Sequence, residues 1–572
     1  MAFEAGSTAL AKRLVGRLLP EGSRRRTAVA PILSSMAPRK GDRFDRVTYS
    51  RWIRETEREH FSDPATDLPY RPLITVVVPC FNTPNLYVKQ LVTSVIRQRY
   101  DNWQLCLADG SDQDDLKRHV EKQSRRDTRI HYIAIEQNLG IAGNTNVGIK
   151  HAGGEYIAFL DHDDLLSPFA LSEVVTLLNA EPSTDLVYSD EDKVSSDGKV
   201  RREPLFKPDW EPELLLGVNY ITHFVVARKR LVDQVGGLRE GFDGAQDYDL
   251  LLRLTEQTSN IAHIPKVLYH WRSATGSAAL DIGEKGFADS AGRRALGDAI
   301  ERRGASAEVI PIHDRPANYR VSYSLPRQPP KVSIIISSAG GSASVFRCAE
   351  SVRKASTYPN FEIIDASAEN TGEPNVAKQR NIGRQQADGE YLIFLDASTE
   401  VVAPDCIEEL VAVASQPGIG AVAPLLCFPD GRVSHAGTVV GMTGIAGRPF
   451  RLRQPTEWTH FGIPAWPRNY LAVSPVCLTI SASRFDEVGG FDEELGFYGS
   501  SVALGIRLHE AGYRNVHWPF AELVHHEDAA ANLADHCDQD RLAEYCRPYL
   551  EHGDPYFSPN LDPMNEQVGL RT

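Results

Sequence analysis

Gly154-Glu155-Tyr156-Ile157-Ala158-Phe159-Leu160-Asp161 recurs later in the chain as Gly389-Glu390-Tyr391-Leu392-Ile393-Phe394-Leu395-Asp396. Each copy is a short apolar and aromatic run that stops at an aspartate, the pattern of a buried strand. Two further pairs keep the same order. Val76-Val77-Val78-Pro79 answers to Ile334-Ile335-Ile336-Ser337, and Val235-Gly236-Gly237-Leu238 to Val488-Gly489-Gly490-Phe491. Three anchors in one order read as two copies of one domain. Around the anchors, Ile74 to Val78, Gln104 to Ala108 and Tyr156 to Leu160 read as strands, and Val88 to Gln98 and Ala291 to Arg302 as helices. This alternation predicts an α/β fold, a parallel sheet covered by helices. The expected map is a basic extension and linker helix over 1–70, a first copy over 71–325, a proline-rich hinge at 326–330, a second copy over 331–530 and a polar tail over 531–572.

The 572 residues leave room for two full cores, and 42% hydrophobic with 24% charged residues excludes collagen-like, coiled-coil and wholly disordered classes. No apolar run approaches the roughly 18 to 20 residues that span a bilayer. The eight cysteines form no CxxC pair or zinc spacing. Buried thiols in the cytoplasm are therefore expected rather than disulfides. Charge is uneven, net +6 over residues 1–47 and −20 over the rest. An acidic body argues against a nucleic-acid partner. Leu10, Leu14, Val15 and Leu18 recur at helical spacing among Lys12, Arg13 and Arg17. Residues 7–20 thus read either as a peripheral contact with the inner face of the cytoplasmic membrane or as a helix docked on the body or a frayed terminus. Glu4 and Glu21 oppose a transit peptide.

In the first copy, acids gather where strands end, the place where open α/β sheets bind ligands. Asp109 follows Gln104 to Ala108, and Asp161-His162-Asp163-Asp164 follows Tyr156 to Leu160. Three carboxylates within four residues repel one another unless a cation joins them, and hard divalent ions prefer carboxylate oxygen. A helix cap before Pro168-Phe169-Ala170-Leu171 would account for one of the acids, not three. Asp247 opens a helical segment from Tyr248 to Glu256, behind a flexible turn from Gly241 to Gly244. A helix-opening acid also suits the helix dipole. Asp249, two residues on, lies about 200° round the axis. Trp210 and Trp271 read either as sugar platforms or as core.

The second copy has Asp396-Ala397-Ser398-Thr399 in place of the acidic cluster and Ser501 at the position of Asp247. It retains neither a metal clamp nor a base. Asp365 survives at the end of a segment about two residues shorter than its counterpart, and His525-His526-Glu527 reads as structural. Gly418-Ile419-Gly420-Ala421-Val422-Ala423 spells a dinucleotide fingerprint, but it follows a helical run and precedes a strand, the reverse of what that motif requires.

Val76-Val77-Val78-Pro79-Cys80-Phe81-Asn82, Asn138-Leu139-Gly140-Ile141, Asp161-His162-Asp163, Tyr188-Ser189-Asp190-Glu191-Asp192-Lys193 and Gln246-Asp247-Tyr248-Asp249 together resemble family-two glycosyltransferases of the GT-A fold. The closer likeness is to tandem bacterial proteins of O-antigen, capsule and other cell-surface polysaccharide clusters. It runs from about Tyr49-Ser50-Arg51-Trp52-Ile53 to Asp554-Pro555-Tyr556. The resemblance implies two tandem GT-A domains, the second degenerate. It implies inverting, metal-dependent transfer of a hexosyl or deoxyhexosyl group from a nucleotide-sugar donor to a glycan or lipid-linked acceptor, with Mg²⁺ or Mn²⁺ as cofactor. Pro79, Asn82, Asp109, Asn138, Asp161 and Arg272 are the implied donor contacts, and Asp163 and His270 the implied metal ligands. Asp247 is the candidate base, because an inverting displacement needs one carboxylate to take the acceptor hydroxyl's proton. The family often has a second acid where this chain has Gly110, which leaves the nucleotide base open. Two alternatives stand beside this reading. A bifunctional polymerase using both copies is disfavoured by Ser398 and Ser501, and a carbohydrate-binding pseudoenzyme by the intact acids of the first copy. A glycoside hydrolase would need two opposed carboxylates and no Asp-x-Asp.

Overall fold

The computed structural model describes residues 46–57, 68–112, 115–273, 282–338, 342–526 and 539–571. The segment 7–20 therefore lies outside the described residues. In the first half, β1 (Ile74–Cys80), β2 (Trp103–Asp109), β3 (Ile130–Ala134) and β4 (Tyr156–Phe159) are parallel. All seven residues of β1 are buried, so both faces of the sheet are covered and the strand reads as one apolar run. With β5 (Leu165–Leu166), β6 (Leu186–Ser195), β7 (Arg201–Leu205), β8 (Val226–Arg228) and β9 (Ile261–Ser273), the order is β3-β2-β1-β4-β8-β6-β9-β5, and β7 pairs with β6. The sheet is mixed, not wholly parallel: β8 runs antiparallel between β4 and β6.

A hairpin of β10 (Ala307–Pro311) and β11 (Tyr319–Tyr323) leads to the second half. There the strands are β12 (Val332–Ser337), β13 (Phe361–Asp365), β14 (Tyr391–Asp396), β15 (Thr399–Val401), β16 (Ile419–Cys427), β17 (Val433–His435), β18 (Val439–Val440), β19 (Ala446–Gly447), β20 (Arg468–Tyr470), β21 (Cys477–Ser481) and β22 (Arg514–His525). The second large sheet has the order β13-β12-β14-β21-β16-β22-β15. Strand for strand this repeats β2-β1-β4-β8-β6-β9-β5, and each pair of neighbours keeps its parallel or antiparallel sense. Only β3 has no counterpart. Between β13 and the helix Val376–Gln386 there is one short helix, Ala368–Thr371, where the first half has the helix Asp115–Ser124 and β3.

Details of packing repeat as well. A Cβ on Gly148 would come within 2.6 Å of Val77, and one on Gly383 within 2.4 Å of Ile335. In both halves, therefore, a helix lies too close on the central strand for any side chain at that point. Arg253 donates to the carbonyls of Val235 and Gly237 at 2.8 Å, and Arg507 donates in the same way to those of Val488 and Gly490. The Val-Gly-Gly anchors are turns, each with two glycines at positive φ.

The two halves share their cores. Ile463, Ala465 and Trp466 pack into the first-half cluster of Leu214, Leu215 and Tyr248. Tyr49, Trp52, Phe206 and Val267 pack among Leu425, Tyr470 and Leu570 of the second. Arg514 and Glu213 pair across the seam at 2.9 Å. Residues 326–330 thus join bodies that are already packed together. The expected polar tail is also built in: residues 539–552 are helical, and Tyr556, Phe557, Leu561, Val568 and Leu570 are buried beyond them. Its apolar residues are spaced singly among polar ones, which hid the strap in the composition. Seven cysteines are described, and all are buried.

Candidate active site

Where β4 ends, Asp164 N–H donates to the carbonyl of Asp161 at 3.2 Å. This turn brings the first and fourth residues of Asp161-His162-Asp163-Asp164 together. Asp164 is fully buried; its carboxylate accepts from Tyr269 OH at 2.6 Å and from Arg272 N–H at 2.7 Å. Burial, then the charges of Asp163 and Asp161, push its pKa well above the carboxylate range. Burial also raises Asp163, against His162 and with Asp161. Asp161 is different: burial works against its charge, but the hydrogen bond and charge of His223 outweigh it and hold the carboxyl below its usual value.

His223 is the residue sequence reasoning missed. Its Nδ1 lies 3.1 Å from Glu191 Oε2 and its Nε2 lies 3.7 Å from Asp161 Oδ2. The ring stacks on Tyr269 at 4.3 Å. Burial opposes an imidazolium there, yet Glu191 and Asp161 overcome it and raise the pKa well above 6.5. Glu191 is buried too, and Lys207, His223 and Thr222 bring it down to about 2 despite that. The available signal was the acidic run Asp190-Glu191-Asp192 inside a strand, since buried carboxylates need partners. All three have them: Asp190 takes His263 and Asn560, and Asp192 takes Tyr49, Arg201 and His270.

Among the described residues, the group whose potential ligand atoms converge, within 4.8 Å of one another, is Asp161, Asp164 and His223. The expected ligands Asp163 and His270 are not members. The turn aligns Asp161 with Asp164 rather than with Asp163, and His270 faces Asp192, Nδ1 to Oδ1 at 2.6 Å. The residues nevertheless suit a hard divalent ion, with three carboxylates at one strand end, two of them raised by burial and by a neighbouring carboxylate's charge.

Asp247 begins the helix Gln246–Thr255 and accepts from Asn219 Nδ2 at 2.9 Å. Burial raises its pKa, His223 lowers it and Asp161 raises it, so these groups share one electrostatic site. Asp249 is buried and clamped by Arg239 and Arg253, a structural role.

The remaining expected donor contacts divide. Asp109, at the end of β2, accepts from Tyr132 OH at 2.9 Å and from the N–H and hydroxyl of Ser111, and the Ser111 hydroxyl also takes Asn82 N–H at 2.7 Å. Asn82 itself is exposed with φ +48° at the mouth of β1. Pro79 is buried within β1, opposite Ala108. Asn138 spends its side-chain oxygen on Gly140 N–H and Asn144 Nδ2, shaping the loop. Arg272 is wholly buried, its guanidinium donating to the carbonyls of Asp163 and Ser196 and lying 4.5 Å over Tyr87. It holds the acidic turn from beneath. Gly110 has its own cause: a Cβ there would stand 3.0 Å from Asn138 Cα. Trp210 packs on the core, and Trp271 lies 5.9 Å from the His223 ring.

In the second half, Asp396 accepts from the N–H and hydroxyl of Ser398, and Ser501 is buried with its hydroxyl unpartnered. His525 meets Ser434 at 2.8 Å and His526 meets Glu400 at 2.9 Å, while Glu527 lies outside the described residues.

No helix among the described residues is long and apolar enough to cross a membrane. The O-antigen biosynthesis protein RfbC of Myxococcus xanthus is 39% identical over 531 residues, 88% of this chain and 41% of RfbC. Protein y4gI of Sinorhizobium fredii is 38% identical over 86% of this chain and 58% of its own length. The chain thus spans about half the length of these relatives. Chondroitin synthase of Escherichia coli is 26% identical over 199 residues, 35% of this chain and 29% of that protein. Residues 75–236 match the family described as Glycosyl transferase family 2, and they are the family-2 glycosyltransferase domain of this chain.

Proposed function

We propose that the first half is an inverting, metal-dependent glycosyltransferase. It moves a sugar from a nucleotide-sugar donor to a glycan or lipid-linked acceptor in cell-surface polysaccharide synthesis. The observation that carries this reading is the placement of Asp247 in the first turn of the helix Gln246–Thr255, held by Asn219, with the charges of His223 and Asp161 of the acidic strand end acting on it. An inverting displacement needs those two ends: a base on the acceptor side and a place for the leaving diphosphate. Asp247 takes the acceptor hydroxyl's proton as that oxygen bonds the anomeric carbon and the bond to the diphosphate breaks. Its raised pKa favours proton uptake, and Asn219 orients the carboxylate. Asp109, tied to Ser111 and Tyr132, is the acid offered to the nucleotide base, with Asn82 beside it at the mouth of β1. Asp161 and Asp163 are the acids offered to Mg²⁺ or Mn²⁺, and the family resemblance adds His270. Such an ion, when bound, neutralises charge on the leaving nucleoside diphosphate.

The second half, on this reading, is a degenerate copy that shapes the acceptor side or the architecture. The repeat of strand order supports common descent of the two halves, and Ser398 and Ser501 leave it without a clamp or a base. The test is a donor screen with the full chain, following nucleoside diphosphate release from UDP-, GDP- and dTDP-sugars with Mg²⁺ or Mn²⁺. Metal-dependent release from one donor class is expected; no release from any would sink the reading.

A further inference from the structure

Two imidazoles border the acidic turn, and each has its Nδ1 on a buried carboxylate. His270 lies opposite Leu165 across the β5–β9 pair, with Nδ1 on Asp192. His223 has Nδ1 on Glu191, and Glu191 is itself fixed by Lys207 Nζ at 3.2 Å and Thr222 Oγ1 at 2.7 Å. A carboxylate on one ring nitrogen keeps a proton there, so a cation that displaces the proton from the other nitrogen finds a lone pair aimed at the site. That other nitrogen, Nε2, is 3.7 Å from Asp161 Oδ2 and belongs to the one converging group among the described residues. Tyr269 steadies the arrangement from both sides, stacking on the His223 ring and donating to Asp164.

We propose that His223, in place of the His270 that the resemblance implies, is the imidazole ligand of the divalent cation at this site, beside Asp161, with Glu191 as its supporting carboxylate. The inference rests on the metal-dependent reading above. It has a chemical consequence. First-row transition ions accept imidazole nitrogen more readily than Mg²⁺, so this ligand set favours Mn²⁺ or Co²⁺.

The test uses the full-length protein titrated with Mn²⁺, alone and with UDP or GDP. Electron spin-echo spectroscopy of the bound ion reads directly coordinated ¹⁴N. Nitrogen coupling is expected in the wild type and in a His162→Gln/His270→Gln double variant, and it should vanish in His223→Gln. Mn²⁺ affinity should fall about tenfold or more in His223→Gln, and about tenfold in Glu191→Gln with coupling retained. Mg²⁺ affinity should change less. The double variant decides the matter even if His223→Gln does not fold, since it leaves His223 as the imidazole at the turn. Coupling lost in the double variant, coupling surviving in His223→Gln, tighter Mn²⁺ binding in His223→Gln, or no coupling in the wild type would each overturn the assignment. Nucleotide release scored on the same samples separates the two failures. Release without nitrogen coupling defeats the ligand alone, and no release from any donor defeats the reading beneath it.

Discussion

β4 and β14 are equivalent strands that end in equivalent aspartates, yet Asp161 and Asp396 stand in opposite surroundings. After Asp161 come two more acids, and the first half leaves them facing one another with His223 at their edge. After Asp396 come Ala397, Ser398 and Thr399, and the cation has moved into the chain. Asn146 exchanges hydrogen bonds with Leu238 as Asn381 does with Phe491, so the residue before each is equivalent: Thr145 in one half and Arg380 in the other. Arg380 is fully buried, donates to Ser337 and to the carbonyl of Pro475, and lies 4.7 Å over Phe497. Burial brings its pKa down to about 10, with Asp396 working to keep it charged. A fold that supplies its own buried cation has no call for an external one. The same framework thus holds a poised charge in one half and a settled charge in the other.

The sharpest way to break that comparison is at the bases. Asp247→Asn is expected to lower turnover by about 10² to 10⁴ while donor binding stays near wild type. Ser501→Ala and Asp396→Ala should leave turnover within about twofold, since Ser501 is buried with no partner to lose. Steady-state kinetics on the three folded variants checks this. Substantial transfer by Asp247→Asn that Asp396→Ala then abolishes would restore a second working site.

A pH experiment addresses the seam between the halves. Asp554 is buried and accepts from Val440 N–H at 2.8 Å and Tyr556 N–H at 2.9 Å. Burial raises its pKa to about 7, those two hydrogen bonds opposing. An acid raised on folding holds its proton in the folded state after the unfolded chain has released it. Stability from this group is therefore present below the unfolded value and is lost as pH rises towards 7, by up to about 4 kcal/mol. Thermal melts at pH 5 and pH 8 should show this fall in the wild type and a flatter profile in Asp554→Asn. Equal slopes would remove Asp554 as the cause.

Third in size is the internal cation. Arg380→Met should destabilise the protein by about 3 kcal/mol, since it strands the Pro475 carbonyl and the Ser337 hydroxyl and leaves Asp396 without its charge. Donor turnover by the surviving folded fraction should be unchanged. A loss of turnover with little loss of stability would mean that the second cleft takes part in the reaction.

How much of this was legible depended on whether a residue's role follows from local pattern. The repeat of strand order was legible because strand anchors carry period and order. Asp247 and the acidic turn were legible because strand ends and helix starts are where charge is unusual. His223 was not, because its partners are 32 residues away at Glu191 and 62 at Asp161, and nothing in Thr222-His223-Phe224 marks it. Arg272 shows the same dependence on packing: an arginine after Tyr269-His270-Trp271 looks free to meet phosphate, whereas the packed structure buries it and has two of its nitrogens donate to the Asp163 and Ser196 carbonyls. Antiparallel β8 is three residues long, too short for periodicity to declare.

The smallest expected effect concerns how the strap speaks to the site. Asn560 is buried, and its Nδ2 donates to Asp190 Oδ2 at 3.0 Å and to the Pro265 carbonyl at 2.9 Å. Asp190 precedes Glu191 on β6, so a residue near the end of the chain braces the strand that carries the partner of His223. Asn560→Ala removes one charge-assisted bond from a buried carboxylate and one neutral bond from a part-buried carbonyl. Asp190 keeps His263 and the Lys207 N–H, which limits the cost to about 2 kcal/mol. If the strap and β6 act as one unit, hydrogen exchange in Asn560→Ala should quicken in both 186–195 and 554–571. Faster exchange confined to 554–571 would mean that the first half holds its own geometry, and that the shared core, not this contact, is what joins the two copies.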